Sequence, residues 1–154
     1  MDAEITNLEA KKVACIRHLG PYIEVGGTWH KLCSWAGRNG LLGRETQTVG
    51  ICHDDPEITP PDKIRYDACL VLTRDVTPDS NIVIQEIPGG RYVKTTHQGP
   101  YTKLNETYSS LFGQWMPAHD IEPAAGKPSL EFYLNDPNET PEEQLLTDIY
   151  VPLD

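Results

Sequence analysis

The sequence predicts an α+β fold made of a duplicated strand-strand-helix-strand-strand unit. Three observations predict it: an internal repeat, short strand-like segments flanked by turn residues, and one amphipathic segment in each half. Two helices are too few for the crossovers of a parallel sheet. We therefore expect one domain over residues 1–154, with halves near 2–77 and 81–154 related by a pseudo-two-fold axis. A mostly antiparallel sheet is expected to carry both helices on one face.

Two punctuated motifs carry the repeat, and they occur in the same order in both halves. Residues 17–22 (RHLGPY) align with residues 96–101 (THQGPY), so that His, Gly, Pro and Tyr coincide. Further on, an Asp-Pro pair followed by a Thr-Pro pair occurs at residues 55–60 and again at 136–141. Scattered apolar matches arise easily by chance, whereas two motifs in the same order indicate an internal duplication.

Each half begins with two predicted strands joined by a short turn. Turn residues separate 3–8 from 12–18 and 82–87 from 91–97, so each pair is expected to form a hairpin. The last two strands of each half follow its helix, and each pair is separated by an Asp-Pro turn. They are predicted near 47–53 and 67–72, and near 130–134 and 147–152.

A helix follows the Gly-Pro pair in each half. Proline suits the first turn of a helix, and apolar residues then recur at helical spacing over 21–36 and 100–115. The first helix is predicted to be weaker because Gly26 and Gly27 interrupt it, at a cost of about 1 kcal/mol for each glycine relative to alanine.

Composition and charge exclude several classes of function. No apolar stretch is long enough to cross a bilayer, and the acidic start of the chain does not resemble a signal peptide, so we expect a cytoplasmic protein without a membrane partner. The chain has 13 Lys and Arg against 23 Asp and Glu, a formal net charge of −10. Direct binding of nucleic acid needs the opposite balance and is not expected.

The cysteines and histidines form no metal-binding or catalytic pattern. No C-x-x-C pair is present, and outside a secretory context the four cysteines are expected to be unpaired core residues: Cys15, Cys33, Cys52 and Cys69. His18 and His97 precede the Gly-Pro pairs and are expected to pin the strand-to-helix turns. Cys52 and His53 are adjacent on a strand, so they point to opposite faces and do not pair as nucleophile and base. No metal and no cofactor is predicted.

One carboxylate stands out in the strand LEFYL at residues 130–134. Alternation places Glu131 and Tyr133 on one face, and their counterparts in the first half are the small residues Gly50 and Cys52. This asymmetry predicts a pocket between the halves with one acidic anchor, suited to a cation. The alternative is that Glu131 faces solvent, as most strand glutamates do.

Aromatic side chains are the candidates for the wall of this pocket. Tyr133 and Tyr150 are expected beside Glu131, because Tyr150 replaces the small Cys69 of the first half. Helical spacing places three more candidates near the pocket, with the last at its opening: Tyr108, Trp115 and Trp35. The same spacing is typical of core packing, so both interpretations stay open for the helical aromatics.

These motifs resemble those of the GyrI-like small-molecule-binding family. The residues that carry the resemblance are 97–101 (HQGPY), 128–137 (PSLEFYLNDP) and 148–153 (DIYVPL), and the likeness covers nearly the whole chain. The family supplies effector-binding domains of AraC-type and MerR-type regulators and also free-standing proteins. Because no helix-turn-helix segment is recognised, the resemblance implies the free-standing form. It also implies a pocket for amphipathic or cationic compounds, with a buried glutamate and aromatic walls.

The function predicted from the sequence is therefore to bind or sequester an amphipathic, cationic or toxic small organic molecule. The resemblance implies two alternatives. One is hydrolysis of a strained electrophile, with Glu131 as general base and Tyr133 and Tyr150 as hydrogen-bond donors to developing charge. The other is inhibition of DNA gyrase through protein contact, with which the acidic charge is compatible.

Overall fold

A computed structural model describes all 154 residues. Eight strands and three short or medium helices occur along the chain. The strands are β1 (Ala3–Leu8), β2 (Lys11–Leu19), β3 (Thr48–Cys52), β4 (Arg65–Val71), β5 (Val83–Ile87), β6 (Gly90–Gln98), β7 (Ser129–Tyr133) and β8 (Leu146–Pro152). The helices are α1 (Gly26–Arg38), α2 (Leu104–Ser110) and α3 (Met116–Ala118), with a π-helical segment, Leu111–Trp115, between α2 and α3. The predicted α+β class is confirmed.

The chain forms two compact units, each an antiparallel ladder of four strands with its own helical segment. Unit 1 contains Met1–Leu8 and Gly90–Asp154, and its strands lie in the order β1-β6-β8-β7. Unit 2 contains Glu9–Gly89, and its strands lie in the order β3-β4-β2-β5. None of the helices is long and apolar enough to cross a membrane.

The first strand of each sequence repeat pairs in the ladder of the other unit. β1 pairs with β6, where Ala3 lies opposite Thr95, and β5 pairs with β2, where Ile87 lies opposite Lys11. The two predicted hairpins are therefore wrong. A two-residue hairpin turn needs positive φ at its first central residue, and neither Glu9-Ala10 nor Pro88-Gly89 has positive φ at either position. The connections from β1 to β2 and from β5 to β6 therefore lack the backbone conformation of a two-residue hairpin turn.

The two helices begin later than the Gly-Pro pairs predict. Pro21 has φ −57° and ψ 143°, and Pro100 has φ −60° and ψ 149°, so both residues are extended. Each precedes a single 3-10 turn, and α1 begins at Gly26. Gly26 and Gly27 therefore form the first turn of α1, and the prediction that they interrupt the helix is wrong.

The helical segment of each unit covers one face of that unit's ladder. In unit 2, Leu32 and Ala36 of α1 are fully buried and pack in a cluster with Ala14 and Ala68 of the ladder. In unit 1, the corresponding cluster is formed by Val93, Leu111, Met116, Ile149 and Val151. Burying a side chain the size of leucine stabilises the fold by about 1.5–3 kcal/mol. These contacts anchor each helix over its ladder.

Two of the cysteines are bonded to each other. Cys15 of β2 lies directly opposite Cys69 of β4, with their Cα atoms 4.2 Å apart, and the two form a disulfide. Cys33 is exposed and Cys52 is half-buried. The prediction of four unpaired core cysteines is therefore wrong for Cys15, Cys69 and Cys33. The register between β2 and β4 decides the pairing, and spacing along the chain does not reveal that register.

Candidate functional site

Glu131 lies in the middle of β7 on the face that the helical segment of unit 1 covers. Its partner on β8 is Ile149, which belongs to the cluster packed against Leu111 and Met116. Directly paired residues of antiparallel strands share a face, so Glu131 points toward the helical segment. Only 7% of Glu131 is exposed, so the alternative of a solvent-facing glutamate is excluded.

Two tyrosine hydroxyls donate hydrogen bonds to the carboxylate of Glu131. The hydroxyl of Tyr108, from α2, lies 2.6 Å from Oε2, and that of Tyr133, from β7, lies 2.7 Å from Oε1. These short distances are typical of hydrogen bonds to a charged acceptor. A carboxylate has about four acceptor positions, so each oxygen keeps capacity for a further donor or a cation. Three of the residues predicted from the sequence are therefore in direct contact.

Tyr101 adds a third phenol ring to this cluster. It lies in the 3-10 turn Tyr101–Lys103, and its ring packs edge-to-face on that of Tyr133, with centroids 5.5 Å apart. Burial raises the pKa of Tyr101, and the negative charges of Asp136 and Glu131 raise it further. Sequence reasoning missed this residue. The available signal is its place in the repeated Gly-Pro-Tyr motif, from which we infer a duplication, a helix start and a family resemblance but no pocket residue.

His97 fixes the turn that brings Tyr101 and α2 to the site. Its Nε2 lies 3.0 Å from the carbonyl oxygen of Pro100, and its Nδ1 lies 2.6 Å from Oγ1 of Thr107. Because a carbonyl only accepts, Nε2–H donates to Pro100, and Nδ1 forms a hydrogen bond with the hydroxyl of Thr107, which directly precedes Tyr108. In unit 2, His18 makes the equivalent contacts with Pro21 at 3.2 Å and Thr28 at 3.0 Å. The prediction that both histidines pin strand-to-helix turns is confirmed.

Trp115 packs in the apolar cluster of unit 1 together with Tyr108, and it is partly buried. Its ring stacks on that of His119 with centroids 4.1 Å apart, and its carbonyl oxygen accepts a hydrogen bond from Nδ1 of His119 at 2.8 Å. Trp115 thus lies on the same side of the ladder as Glu131. No hydrogen bond joins it to the carboxylate, which has Tyr108 and Tyr133 as its donors.

Tyr150 does not join this cluster, and its predicted place beside Glu131 is wrong. In the β7–β8 register Tyr150 lies opposite Leu130, so it occupies the other face of the ladder. There its ring packs edge-to-face on Phe132, with centroids 5.3 Å apart, and Nζ of Lys94 lies 5.9 Å from its centroid. Repeat alignment identifies Tyr150 as large in place of Cys69, but it does not give the register that decides the face.

Trp35 lies on α1 of unit 2. It is 3% exposed and packs on α1 within the apolar cluster of that unit. Its side chain is thus almost entirely buried within unit 2, and its predicted position at the opening of the Glu131 pocket stays a prediction. Trp35 also lines a cavity of unit 2.

The equivalent position in unit 2 holds no carboxylate, and an aromatic residue, Tyr66, lies opposite Cys52 on the neighbouring strand. Gly50 and Cys52 stand where unit 1 has Glu131 and Tyr133. Tyr66, only 2% exposed, packs edge-to-face on Tyr22 and accepts a hydrogen bond from Nε1 of Trp29 at 3.0 Å. Unit 1 thus has an acidic, tyrosine-lined cluster and unit 2 has packed rings, while the pocket predicted between the halves stays a prediction.

The two units also differ at Thr147, which lies on β8 of unit 1. It is the repeat counterpart of Tyr66 and lies opposite Tyr133 on β8. Thr147 is fully buried, and its hydroxyl has no hydrogen-bond partner. Unit 1 therefore has a small side chain at the position that a ring fills in unit 2, and that side chain leaves a polar atom unsatisfied beside the tyrosine cluster.

Known proteins resemble this chain in sequence and in fold. The sequence model of the GyrI-like small molecule binding domain matches residues 1–154. The chain is 30% identical over 156 residues to the probable transcriptional regulator YgiV of Escherichia coli K12, which covers 99% of this chain and 96% of YgiV. It is 28% identical over 141 residues to a protein of Edwardsiella piscicida named DNA gyrase inhibitor, covering 88% of each chain.

The crystal structure of the EcmrR C-terminal domain has the same fold. It superposes with a TM-score of 0.77 at 20% sequence identity, covering 99% of this chain and 97% of that one. The family match spans every element that positions Glu131, from β1 to β8. The resemblance stated from the three motifs is confirmed, and the chain belongs to the GyrI-like small-molecule-binding domain family.

Proposed function

We propose that this protein binds lipophilic organic cations at Glu131. The observation that carries the proposal is a carboxylate, 7% exposed, for which the chain supplies no cation. No Lys, Arg or His side chain forms an ion pair with Glu131; its two oxygens accept hydrogen bonds from Tyr108 and Tyr133 instead. A buried charge is costly unless it is paired. A cationic ligand would supply the missing partner.

The surrounding rings suit the organic part of such a ligand. Tyr101, Tyr108 and Tyr133 are each partly exposed, so their ring surfaces are not fully used in packing. A cation over the face of an aromatic ring gains about 0.5–2 kcal/mol, more when it is desolvated. Carboxylate and rings together favour a ligand that has one delocalised positive charge and bulky apolar substituents. Sequestration of such compounds is the biological role we propose.

The charge requirement is tested with two ions of the same shape. Tetraphenylphosphonium and tetraphenylborate carry four phenyl groups and opposite charges. We expect the cation to bind and to raise the unfolding free energy, by about 2.7 kcal/mol at a concentration of one hundred times Kd. We expect no stabilisation by the anion at this site. Calorimetric titration and thermal unfolding measure the two effects.

Glu131→Gln keeps the shape of the side chain and removes its charge. It is expected to weaken binding of tetraphenylphosphonium at least tenfold, which is about 1.4 kcal/mol. Glu122 is exposed and lies in the same unit, so Glu122→Gln is the matched control and is expected to change the affinity less than twofold. Equal losses in the two variants, or equal binding of both ions by the unaltered protein, would contradict the proposal.

Hydrolysis of an electrophilic small molecule is the second candidate. It is supported by the same contacts, because a carboxylate beside two hydroxyl donors combines a general base with groups that stabilise developing negative charge. Tyr108 replaces Tyr150 in this proposal, since Tyr150 lies on the other face of the ladder.

A contact with DNA gyrase is the third candidate. It is supported by the name of the Edwardsiella piscicida relative and by the net charge of −10, which favours association with a basic protein surface. If this role applies, the purified protein inhibits supercoiling by gyrase in proportion to its concentration. Undiminished supercoiling at a large molar excess would remove this candidate.

A further inference from the structure

Unit 2 contains a cavity of about 310 Å³ between α1 and the segment that precedes β5. Its apolar lining residues are Ile16 of β2, Trp35 of α1 and Ile82. All of its lining residues belong to unit 2, so it is distinct from the cluster around Glu131. Its volume lies at the lower end of the range of ligand pockets, about 300–1,000 Å³. A compound of one or two rings fits that size.

Basic side chains line the outer part of this cavity. His30, Lys31 and Arg38 come from α1, and helical spacing places His30 and Arg38 on one line with Ser34 between them. The three basic side chains are exposed, and none of them forms an ion pair. α1 contains no acidic residue, although the whole chain has a net charge of −10. The groove is thus locally cationic on an acidic protein.

One acidic residue borders the same groove. Oδ1 of Asp79 accepts a hydrogen bond from the backbone N–H of Asn81 at 2.9 Å, which fixes the turn ahead of β5. Its negative charge opposes binding of any anion nearby. Asp79 would repel a ligand with several negative charges strongly. It would repel a ligand less if the single anionic group lies near Lys31 and Arg38.

We propose that this groove binds a small amphipathic monoanion, an aromatic carboxylate or sulfonate. The ring system contacts Ile16, Ile82 and Trp35, and the anionic group lies between Lys31 and Arg38. Arginine provides a planar fork that matches the two oxygens of such a group, and lysine adds a point charge. This site takes the charge opposite to that proposed at Glu131 and does not depend on it.

The test uses 2-naphthoate and its neutral amide, 2-naphthamide, in calorimetric titrations of the full chain. We expect 2-naphthoate to bind at least tenfold more tightly than the amide. Changing both Lys31 and Arg38 to Gln is expected to weaken 2-naphthoate at least tenfold, or about 1.4 kcal/mol. Lys63 is exposed and has no ion pair, so Lys63→Gln is the matched control, with less than a twofold effect expected.

Two further variants locate the anion. Asp79→Asn removes the opposing charge and is expected to tighten binding of 2-naphthoate severalfold, whereas Glu131→Gln is expected to leave it unchanged. All substituted residues of the groove are at the surface, and circular dichroism verifies that the variants fold. The proposal is overturned if 2-naphthoate does not bind, if the amide binds equally well, or if Lys63→Gln weakens it as much as the double variant. If only Glu131→Gln changes the affinity for 2-naphthoate, the anion binds in unit 1 and the proposed site in unit 2 is wrong.

Discussion

Two buried carboxylates of this protein differ in what their oxygens contact. Asp67 on β4 is 1% exposed and is surrounded by side chains that carry or can carry a positive charge: Arg17 donates to it, and Nε2 of His53 lies 2.8 Å from its Oδ2. Glu131 has two neutral phenols instead. Asp67 is therefore satisfied within the fold and has a structural role. Glu131 has no cationic side chain paired with it, which is why the ligand site is proposed there.

The contacts of Asp67 make stability depend on pH. Burial alone would raise the pKa of Asp67, but hydrogen bonds from His53 and Arg17 and their charges outweigh it and lower the pKa from 3.8 to about 2. A lowered folded-state pKa stabilises the fold above about pH 4, and that contribution is lost as the pH falls toward 2. The shift corresponds to about 2 kcal/mol.

Urea unfolding of the unaltered protein and of Asp67→Asn measures this contribution. At pH 7 we expect the variant to be less stable by about 3–5 kcal/mol, because one partner of a buried ionic network is removed. The difference is expected to shrink by about 2 kcal/mol between pH 4 and pH 2. Asp62 is exposed, and Asp62→Asn serves as the control. If the difference in unfolding free energy between the two proteins stays constant from pH 4 to pH 2, Asp67 is not the source of the pH dependence.

At the scale of elements, local periodicity predicts where the strands lie along the chain, but it does not predict which strands pair. Alternation in LEFYL correctly placed Glu131 and Tyr133 on one face, because that information is contained in five consecutive residues. The face of Tyr150 depends on the register between β7 and β8, which no local pattern specifies. The same holds for the Cys15–Cys69 bond and for the exchange of β1 and β5 between ladders.

His97 and its repeat counterpart His18 allow a matched test of whether His97 positions α2. His97→Ala removes the contacts to Pro100 and Thr107, and leaving buried polar groups unsatisfied costs about 1–3 kcal/mol each. Because Thr107 precedes Tyr108, we expect this variant to lose both stability and affinity for tetraphenylphosphonium. His18→Ala makes the same change in unit 2 and is expected to lower stability without changing that affinity. If both variants lower the affinity equally, the positioning role of His97 is wrong.

At the scale of the whole molecule, membership in the family establishes a small-molecule-binding domain, and the distribution of charge suggests what each unit selects. Duplication gave both units the same strands and the same histidine-pinned turn. The units differ in side chains: unit 1 has Glu131, and the helix α1 of unit 2 has no acidic residue. The ligand preferences that we propose follow from those differences in side chains, since the backbone plan of the units is shared.

Whether Glu131 only binds a cation or also activates water is decided by turnover. A carboxylate that attracts a cation acts through its charge, whereas a general base must also accept a proton from water in the transition state. Activated esters and strained-ring alkylating agents are incubated with the protein, and their products are followed by mass spectrometry. If hydrolysis occurs, we expect Glu131→Gln to lower kcat by about 10²–10⁴-fold, the usual contribution of a positioned base.

Tyrosine-to-phenylalanine variants test whether any hydrolysis takes place at the Glu131 cluster or elsewhere on the protein surface. Tyr108→Phe and Tyr133→Phe each remove one hydroxyl from the carboxylate, so in a hydrolase they are expected to lower kcat with little change in KM. Tyr150 is the control of the same residue type on the opposite face, and Tyr150→Phe is expected to leave kcat unchanged. Turnover that survives Glu131→Gln would exclude this site as its origin. If no electrophile is hydrolysed while tetraphenylphosphonium stabilises the fold, hydrolysis is rejected and binding alone accounts for the cluster.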